Sequence, residues 1–412
     1  MTFWLAWLVF WPAWLVFWLA VAWLAWSFVG FPLVLALRAL LAPAPRPERV
    51  DASGGDAVWP HVSYVIVVHN ERAVIEQKLE NTARLHYPRH KLQVIVASDG
   101  SNDGTDELVR QWPGELPVRL LSLGRVGKNR ALNEAVAVAG GEILAFSDAD
   151  SMLEPDALER LVAPFADSAV GGVGGDYRYG QLAGEGEGER TYWSVDRIWK
   201  RLESRGGSMT SATGQIYAVR ADTFQPVPDG VTDDFFVSTG ALARGLRLHF
   251  AEDAVARGPV TDTADAEFRR KVRLMTRGLG SVMARKALLD PRRTGFYALQ
   301  LATHKLLRRL CGLPVLALLC ATPFLYAAHP FYRLALLAQL GLHALALLAW
   351  RLRAHPLGQS KLLALPLFFD LVNVAGVLAL VGHLRGKRHL GWVPHRAEPE
   401  SRAAAATAKE TT

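Results

Sequence analysis

The chain has 412 residues, half of them hydrophobic, and a formal net charge of +7. That length admits two domains or more, and only two cysteines, Cys311 and Cys320, both in one apolar stretch, exclude a disulfide-stapled scaffold. The basic excess does not point to nucleic acid: Arg38, Arg46, Arg49, Lys305, Arg308, Arg309, Arg385, Lys387 and Arg388 flank apolar segments, where anionic headgroups and the positive-inside rule favour them.

Residues 3–29 carry no charge and hold seven of the 13 tryptophans. About 20 such residues suffice to cross a bilayer. A cleaved signal peptide needs a basic start and a shorter apolar core, so a retained anchor is expected, with Pro12 as a possible kink. The apolar run continues past Gly30 and Pro32 to residue 41. Residues 42–60, with Pro43, Pro45, Pro47, Gly54 and Gly55, read as a linker.

From residue 62 to about 180, strand-like runs alternate with helical segments. Strands are expected at Val62–Val68, 92–97, Val118–Leu123 and 143–146. Helices are expected at 71–85, 103–112 and 129–139, the first with Ile75, Leu79 and Ala83 spaced by four. This alternation predicts an α/β fold with a mostly parallel sheet, whose ligands bind beyond the carboxyl ends of the strands.

Polar clusters fall at those ends. The first is His69-Asn70-Glu71, and the second is Ser98-Asp-Gly-Ser-Asn-Asp-Gly-Thr105. The second can cap the next helix or bind a ligand. The third is Gly124-Arg-Val-Gly-Lys-Asn129, a basic loop before a helix; Arg125 and Lys128 there could meet a pyrophosphate, though the spacing is not that of a Walker loop. The fourth is Asp148-Ala-Asp150. If the strand continues, both carboxylates point one way and repel unless a cation sits between them, and hard cations such as Mg²⁺ suit that arrangement. Taken alone, each cluster is equally a turn or a cap; four at successive strand ends are not.

Downstream, 214–220 reads as a strand, and Val231-Thr-Asp-Asp-Phe-Phe236 places two acids at a helix start. There Thr232 or Asp233 can cap while the other acid faces a site. Arg269-Arg-Lys-Val-Arg273 with Arg277 is a cationic helix, a solvated or membrane-surface face or else an anion site. Three further apolar segments follow at about 310–328, 334–350 and 362–382. Asp370 and Asn373 in the last either pack as a polar pair or face a lipid-linked acceptor. Residues 397–412 read as a disordered tail.

The ordered set Val65-Ile-Val-Val-His-Asn-Glu71, Ser98-Asp-Gly-Ser-Asn-Asp-Gly-Thr105, Gly127-Lys-Asn-Arg-Ala-Leu-Asn133, Ser147-Asp-Ala-Asp150 and Thr232-Asp-Asp234 resembles family 2 glycosyltransferases. These are inverting, metal-dependent enzymes with a GT-A fold. The apolar ends resemble the membrane-embedded branch that makes polysaccharides or glycolipids. The resemblance implies that Glu71 and Asp99 contact the nucleoside, with Asp99 on the base, and that Lys128 lies near the nucleotide. It implies that Asp148 and Asp150 hold Mg²⁺ or Mn²⁺ on the donor diphosphate, and that Asp234 is the catalytic base. Arg270 and Arg273 fall where processive members carry Gln-x-x-Arg-Trp. Only Arg273 matches cleanly, which weakens processivity while leaving a phosphate role for Arg273. The segment Gly391-Trp-Val-Pro-His-Arg396 resembles the ending of some membrane members.

The expected organisation is an anchor at 1–41, a linker at 42–60 and a GT-A domain at 61–285. An interfacial connector follows at 286–309, a membrane region at 310–384 and a basic tail at 385–412. The expected partners are a nucleotide-sugar donor, with a UDP-sugar foremost, a polysaccharide or lipid-linked acceptor and the bilayer, and no nucleic acid. The expected location is the inner or plasma membrane, multi-pass, with the catalytic domain cytoplasmic. Three C-terminal spans would put Arg385 outside, against the positive-inside rule, unless one segment is re-entrant or interfacial. The other function classes considered are a nucleotidyltransferase and a catalytically idle membrane scaffold.

Overall fold

In the computed structural model, residues 2–42, 59–179, 187–258, 264–353 and 355–386 are described. The chain divides into two compact units. One comprises Met1–Ala42, Leu182–Gly206 and Asp262–Arg388, and the other Pro43–Gln181, Gly207–Thr261 and His389–Thr412. Residues 182–206 and 262–285, inside the expected 61–285 domain by sequence, cluster with the helical unit.

The second unit is built on an eight-stranded sheet. Its strands are β1 (Val62–Val68), β2 (Leu92–Asp99), β3 (Val118–Leu123), β4 (Ile143–Asp148), β5 (Met152–Leu153), β6 (Val170–Tyr179), β7 (Tyr217–Arg220) and β8 (Arg247–Gly258), in the order β3-β2-β1-β4-β7-β6-β8-β5. The expected parallel half is present: β1 pairs in parallel with β2 and β4, and β2 with β3. A strand covered on both faces needs apolar side chains throughout, and every residue of β1 is buried. Register aligns Val67 with Asp148 and Val68 with Ser98, so the ends of three strands open on one edge. Beyond β4 the sheet becomes mixed: β7 runs antiparallel to β4 and β6, β5 antiparallel to β8, and β6 parallel to β8.

Helices on the sheet's flanks obey the 3.6-residue period. The Ile75–Ala83 helix buries Ile75, Lys78, Leu79 and Thr82, and the Lys128–Ala137 helix buries Asn129, Ala131, Leu132 and Ala135. Lys78, Thr82 and Asn129 in these inward stripes depart from an apolar pattern, and the lysine and the asparagine shape the site.

In the helical unit, Thr2–Ala25 continues through a π-helical turn, Trp26–Gly30, into Phe31–Leu41. Trp23 Nε1 donates to the Leu307 carbonyl at 3.0 Å and Trp26 Nε1 to Thr303 Oγ1 at 3.1 Å. By length and composition three helices can cross a membrane: Val9–Leu41, Pro330–Arg351 and Leu362–Leu384. A fourth crossing needs the pair Phe296–Leu307 and Gly312–Leu325, which bends by 63°. The apolar segment expected at 310–328 is therefore one arm of a bent pair. Leu19, Leu33, Leu40, Leu334 and Leu362 present exposed apolar surface on these helices. Asp370 is paired with His343 of the neighbouring helix at 2.9 Å, and Asn373 donates to the Phe369 carbonyl of its own helix at 2.8 Å. Cys311 and Cys320 are free thiols. The linker at 43–58, Gly391–Arg396 and the 397–412 tail lie outside the described residues.

Candidate active site

Two loops close the carboxyl ends of β1 and β2 over each other. Asn70 takes a left-handed conformation, φ 54°. Its N–H donates to Ser101 Oγ at 3.1 Å and its Oδ1 accepts from Asn102 N–H at 2.9 Å. Glu71 N–H donates to Thr105 Oγ1 at 3.0 Å, which places the Glu71 side chain, half-buried, at this edge. Asp99, the last residue of β2, is fully buried. Its carboxylate accepts from the N–H groups of Val126 and Gly127 at 2.7 and 2.8 Å and from Arg125 Nη1. Asp99 thus holds the 124–128 loop, and Arg125 is turned to Asp99. Gly127 has φ 94° and ψ 149°, a conformation essentially restricted to glycine, and starts the helix that carries Lys128.

That helix assembles the rest of the site. Asn129 Nδ2 donates to the carbonyls of Pro228 and Val231 at 2.8 and 3.1 Å. One turn on, Asn133 exchanges two bonds with Val227, at 3.0 and 2.8 Å. The two asparagines tie down 227–231, the approach to the Asp233–Ala243 helix, whose first acid, Asp233, meets Lys128. Lys128 Nζ lies 2.9 Å from Asp148 Oδ1 and 3.1 Å from Asp233 Oδ2. Burial alone would lower the Lys128 ammonium, but Asp148 and Asp233 outweigh it and hold it above its usual value. Asp148 is raised, by burial first, with Asp150 and Asp233 adding repulsion against the attraction of Lys128.

Asp148 and Asp150 do not reach the site by strand alternation. Asp148 is the last residue of β4, and Asp150 sits in a turn closed by Ser151 N–H on the Asp148 carbonyl at 3.3 Å. Beneath this turn lies Lys78, fully buried, whose ammonium is pulled down by desolvation to about 7 against the pull of Asp148 and Asp150.

The helix start at Asp233–Ala243 also differs in detail from expectation. Thr232 is the N-cap but makes no side-chain cap bond; Asp234 Oδ1 accepts from Phe235 N–H at 2.7 Å instead. Asp233 is committed to Lys128. A Cβ built on Gly214 would stand 3.6 Å from Asp148 Oδ2 and 3.9 Å from the Asp234 Cβ, so both acids border this glycine.

Three residues that the motifs did not mark lie in the same 213–217 segment as Gly214. Thr213 Oγ1, Gln215 Oε1 and Tyr217 OH are buried without a hydrogen-bond partner among the described residues. Tyr217 stacks on Phe146 at 4.8 Å, and burial, with Asp233, Asp234 and Asp148 adding, raises its phenol well above its ordinary value. Buried polar atoms left open in this way are ready for a polar ligand. Arg270 and Arg273 lie on the Ala264–Ala284 helix of the other unit.

The acidic set fits a divalent cation only in part. No three His, Cys, Asp or Glu side chains among the described residues form a ligating group. Two carboxylates with the rest of the shell supplied by a diphosphate is, however, the arrangement Mg²⁺ favours. The repulsion of Asp148 by Asp150 and Asp233 is the charge excess such an ion would relieve.

A family model described as Glycosyl transferase family 2 matches residues 63–222, and one described as Glycosyl transferase family group 2 matches residues 143–369. The beta-monoglucosyldiacylglycerol synthase of Synechocystis sp. is 32% identical over 157 residues, 37% of this chain and 33% of that protein. The chain likewise spans 33% of the length of the beta-monoglucosyldiacylglycerol synthases of Trichormus variabilis and Nostoc sp.. Glycosyltransferase AglE of Haloferax volcanii is 30% identical over 210 residues, 48% of this chain and 67% of that protein. The mannosyltransferase PcManGT from Pyrobaculum calidifontis, solved in complex with GDP-Man and Mn²⁺, superposes with a TM-score of 0.68 at 26% identity, covering 90% of this chain and 99% of that one.

Proposed function

The chain belongs to glycosyl transferase family 2 and has the GT-A fold, and from that premise we propose a membrane-bound, inverting glycosyltransferase. It moves a sugar from a nucleoside-diphosphate donor, a UDP-sugar foremost, to a lipid-linked or polysaccharide acceptor. The observation that carries the reading is the meeting of Asp148 and Asp233 on Lys128 at the open edge of the sheet, with Asp150 repelling Asp148 and Asp234 bordering the same Gly214 as Asp148.

In this proposal Glu71 and the loop held by Asp99 face the nucleoside. Lys128, partly exposed and already shared between two carboxylates, turns its charge to the diphosphate as that group arrives. Asp148 and Asp150 are the residues that would hold Mg²⁺ or Mn²⁺, which when bound neutralises charge on the leaving diphosphate. Thr213, Gln215 and Tyr217 offer their open polar atoms to the hydroxyls of the transferred sugar. Asp234, whose Oδ1 accepts the Phe235 N–H, takes the proton of the acceptor hydroxyl as that oxygen attacks the anomeric carbon opposite the leaving group. The phosphate role of Arg273 is a proposal resting on its sequence position alone. Association with the inner or plasma membrane, in several passes and with the catalytic unit cytoplasmic, is proposed from the apolar helices and the arginines that follow the first of them.

The test is incubation of the purified full chain, in membranes or detergent with Mn²⁺, with UDP- and GDP-sugars. Release of free UDP or GDP with sugar transferred to lipid supports the proposal. Release of pyrophosphate points to a nucleotidyltransferase, and no turnover with any donor to an idle scaffold.

A further inference from the structure

Lys78 stands in the core stripe of its helix, where Ile75 and Leu79 are its neighbours, and it is fully buried. It makes no ion pair among the described residues. Burying an unpaired ammonium costs several kcal/mol, and an apolar side chain of similar length would fill the stripe at no such cost. Its contacts show what is gained. Nζ donates to Ser147 Oγ at 2.8 Å and to the Ser151 carbonyl, the residues on either side of Asp148-Ala-Asp150. It also lies over the Tyr64 ring, 5.5 Å from its centroid. Ser147 Oγ passes the bond on to the Gln215 carbonyl at 2.9 Å, so one ammonium links the acidic turn to the segment that carries Gly214. Three residues on, Asn81 brackets Leu153 with bonds of 2.7 and 2.9 Å, fixing the chain just past the acidic turn. Two carboxylates on a short turn repel and splay unless something holds the backbone.

We propose that Lys78 is a positioning residue for donor binding: its ammonium clamps residues 147–151 so that Asp148 and Asp150 are presented together to the metal and diphosphate of a nucleotide sugar. The proposal rests on the assignment of Asp148 and Asp150 to that group. Residues that orient metal ligands from behind are worth roughly 10–100-fold in metal affinity.

The experiment compares wild type, Lys78→Met, Ser147→Ala and Asp150→Ala as full-length protein in detergent. Mn²⁺ binding is measured by the loss of the free-ion EPR signal at saturating UDP or GDP, and thermal unfolding is measured alongside. Lys78→Met is expected to melt no lower than wild type yet to bind Mn²⁺ roughly 10–100-fold more weakly. Ser147→Ala moves in the same direction by less. Wild-type Mn²⁺ affinity in Lys78→Met, with affinity lost in Asp150→Ala, overturns the role of Lys78 alone. Unchanged affinity in Asp150→Ala overturns the metal assignment and this inference with it. If Lys78→Met does not fold, Ser147→Ala decides, and wild-type affinity there overturns the clamp.

Discussion

Replacing Lys128 by Met is the sharpest probe of how the site is held before any donor arrives. The ammonium forms ion pairs of 2.9 and 3.1 Å, and its side chain is 16% exposed against 31% for Asp148 and 13% for Asp233. Exposed pairs are worth about 0–1 kcal/mol, whereas removing one partner of a buried pair costs about 3–5 kcal/mol. These exposures lie between the two cases, so the loss is about 2 kcal/mol. For a domain of this size that corresponds to a melting temperature lower by about 4–8 °C. Removing one of the stranded acids should recover part of it: Lys128→Met with Asp233→Asn is expected to melt above Lys128→Met alone. The assay is thermal unfolding of the four proteins of this cycle in one detergent at pH 7. A melting temperature for Lys128→Met at or above wild type, or additive effects in the double variant, would refute the idea that Lys128 neutralises both acids.

Two further outcomes follow from local geometry. At Gly127 an added Cβ meets nothing within 4 Å, so Gly127→Ala isolates backbone strain; a loss of about 1–3 kcal/mol by denaturant unfolding is expected, with weaker UDP or GDP binding as the loop held by Asp99 shifts. Burial first, and Arg247 next, pull His249 down from 6.5 to about 4 against Asp167. Between those values the unfolded chain binds a proton that the native state does not, so stability is full above pH 6.5 and falls as pH drops toward 4. His249→Gln should flatten that decline by at most about 3 kcal/mol, and equal acid sensitivity in both proteins would contradict the assignment.

The parallel half of the sheet was legible because β1 and β4 are unbroken apolar runs ending in polar clusters, and their order alone placed Glu71, Asp99, Lys128 and Asp148 on one edge. The antiparallel half was not. β6 opens Val170-Gly-Gly-Val-Gly-Gly, with almost no side chains to show a period, because a Cβ on Gly174 would come within 2.6 Å of Met209 and one on Gly171 within 2.7 Å of Leu246. The pairing of Asp148 with Asp150 was expected for the wrong local reason: a turn, not alternation, presents them. Thr213, Gln215 and Tyr217 carry no motif, and only the fold shows their buried polar atoms without a hydrogen-bond partner among the described residues. Lys78 did leave a trace, being a charged residue three positions after Ile75 on the face that Ile75 and Leu79 mark as core. That conflict between charge and periodicity was the sign of a structural demand from elsewhere.

The central claim, that Asp234 is the base in a transfer from a nucleotide sugar held by the opposing acids, is met most directly by one comparison. With the donor identified by nucleoside diphosphate release, wild type and Asp234→Asn are measured for donor affinity and for transfer rate at saturating acceptor. Loss of the base is expected to slow transfer by about 10²–10⁴-fold while donor affinity stays within a few fold. Near-wild-type turnover in Asp234→Asn would contradict the assignment.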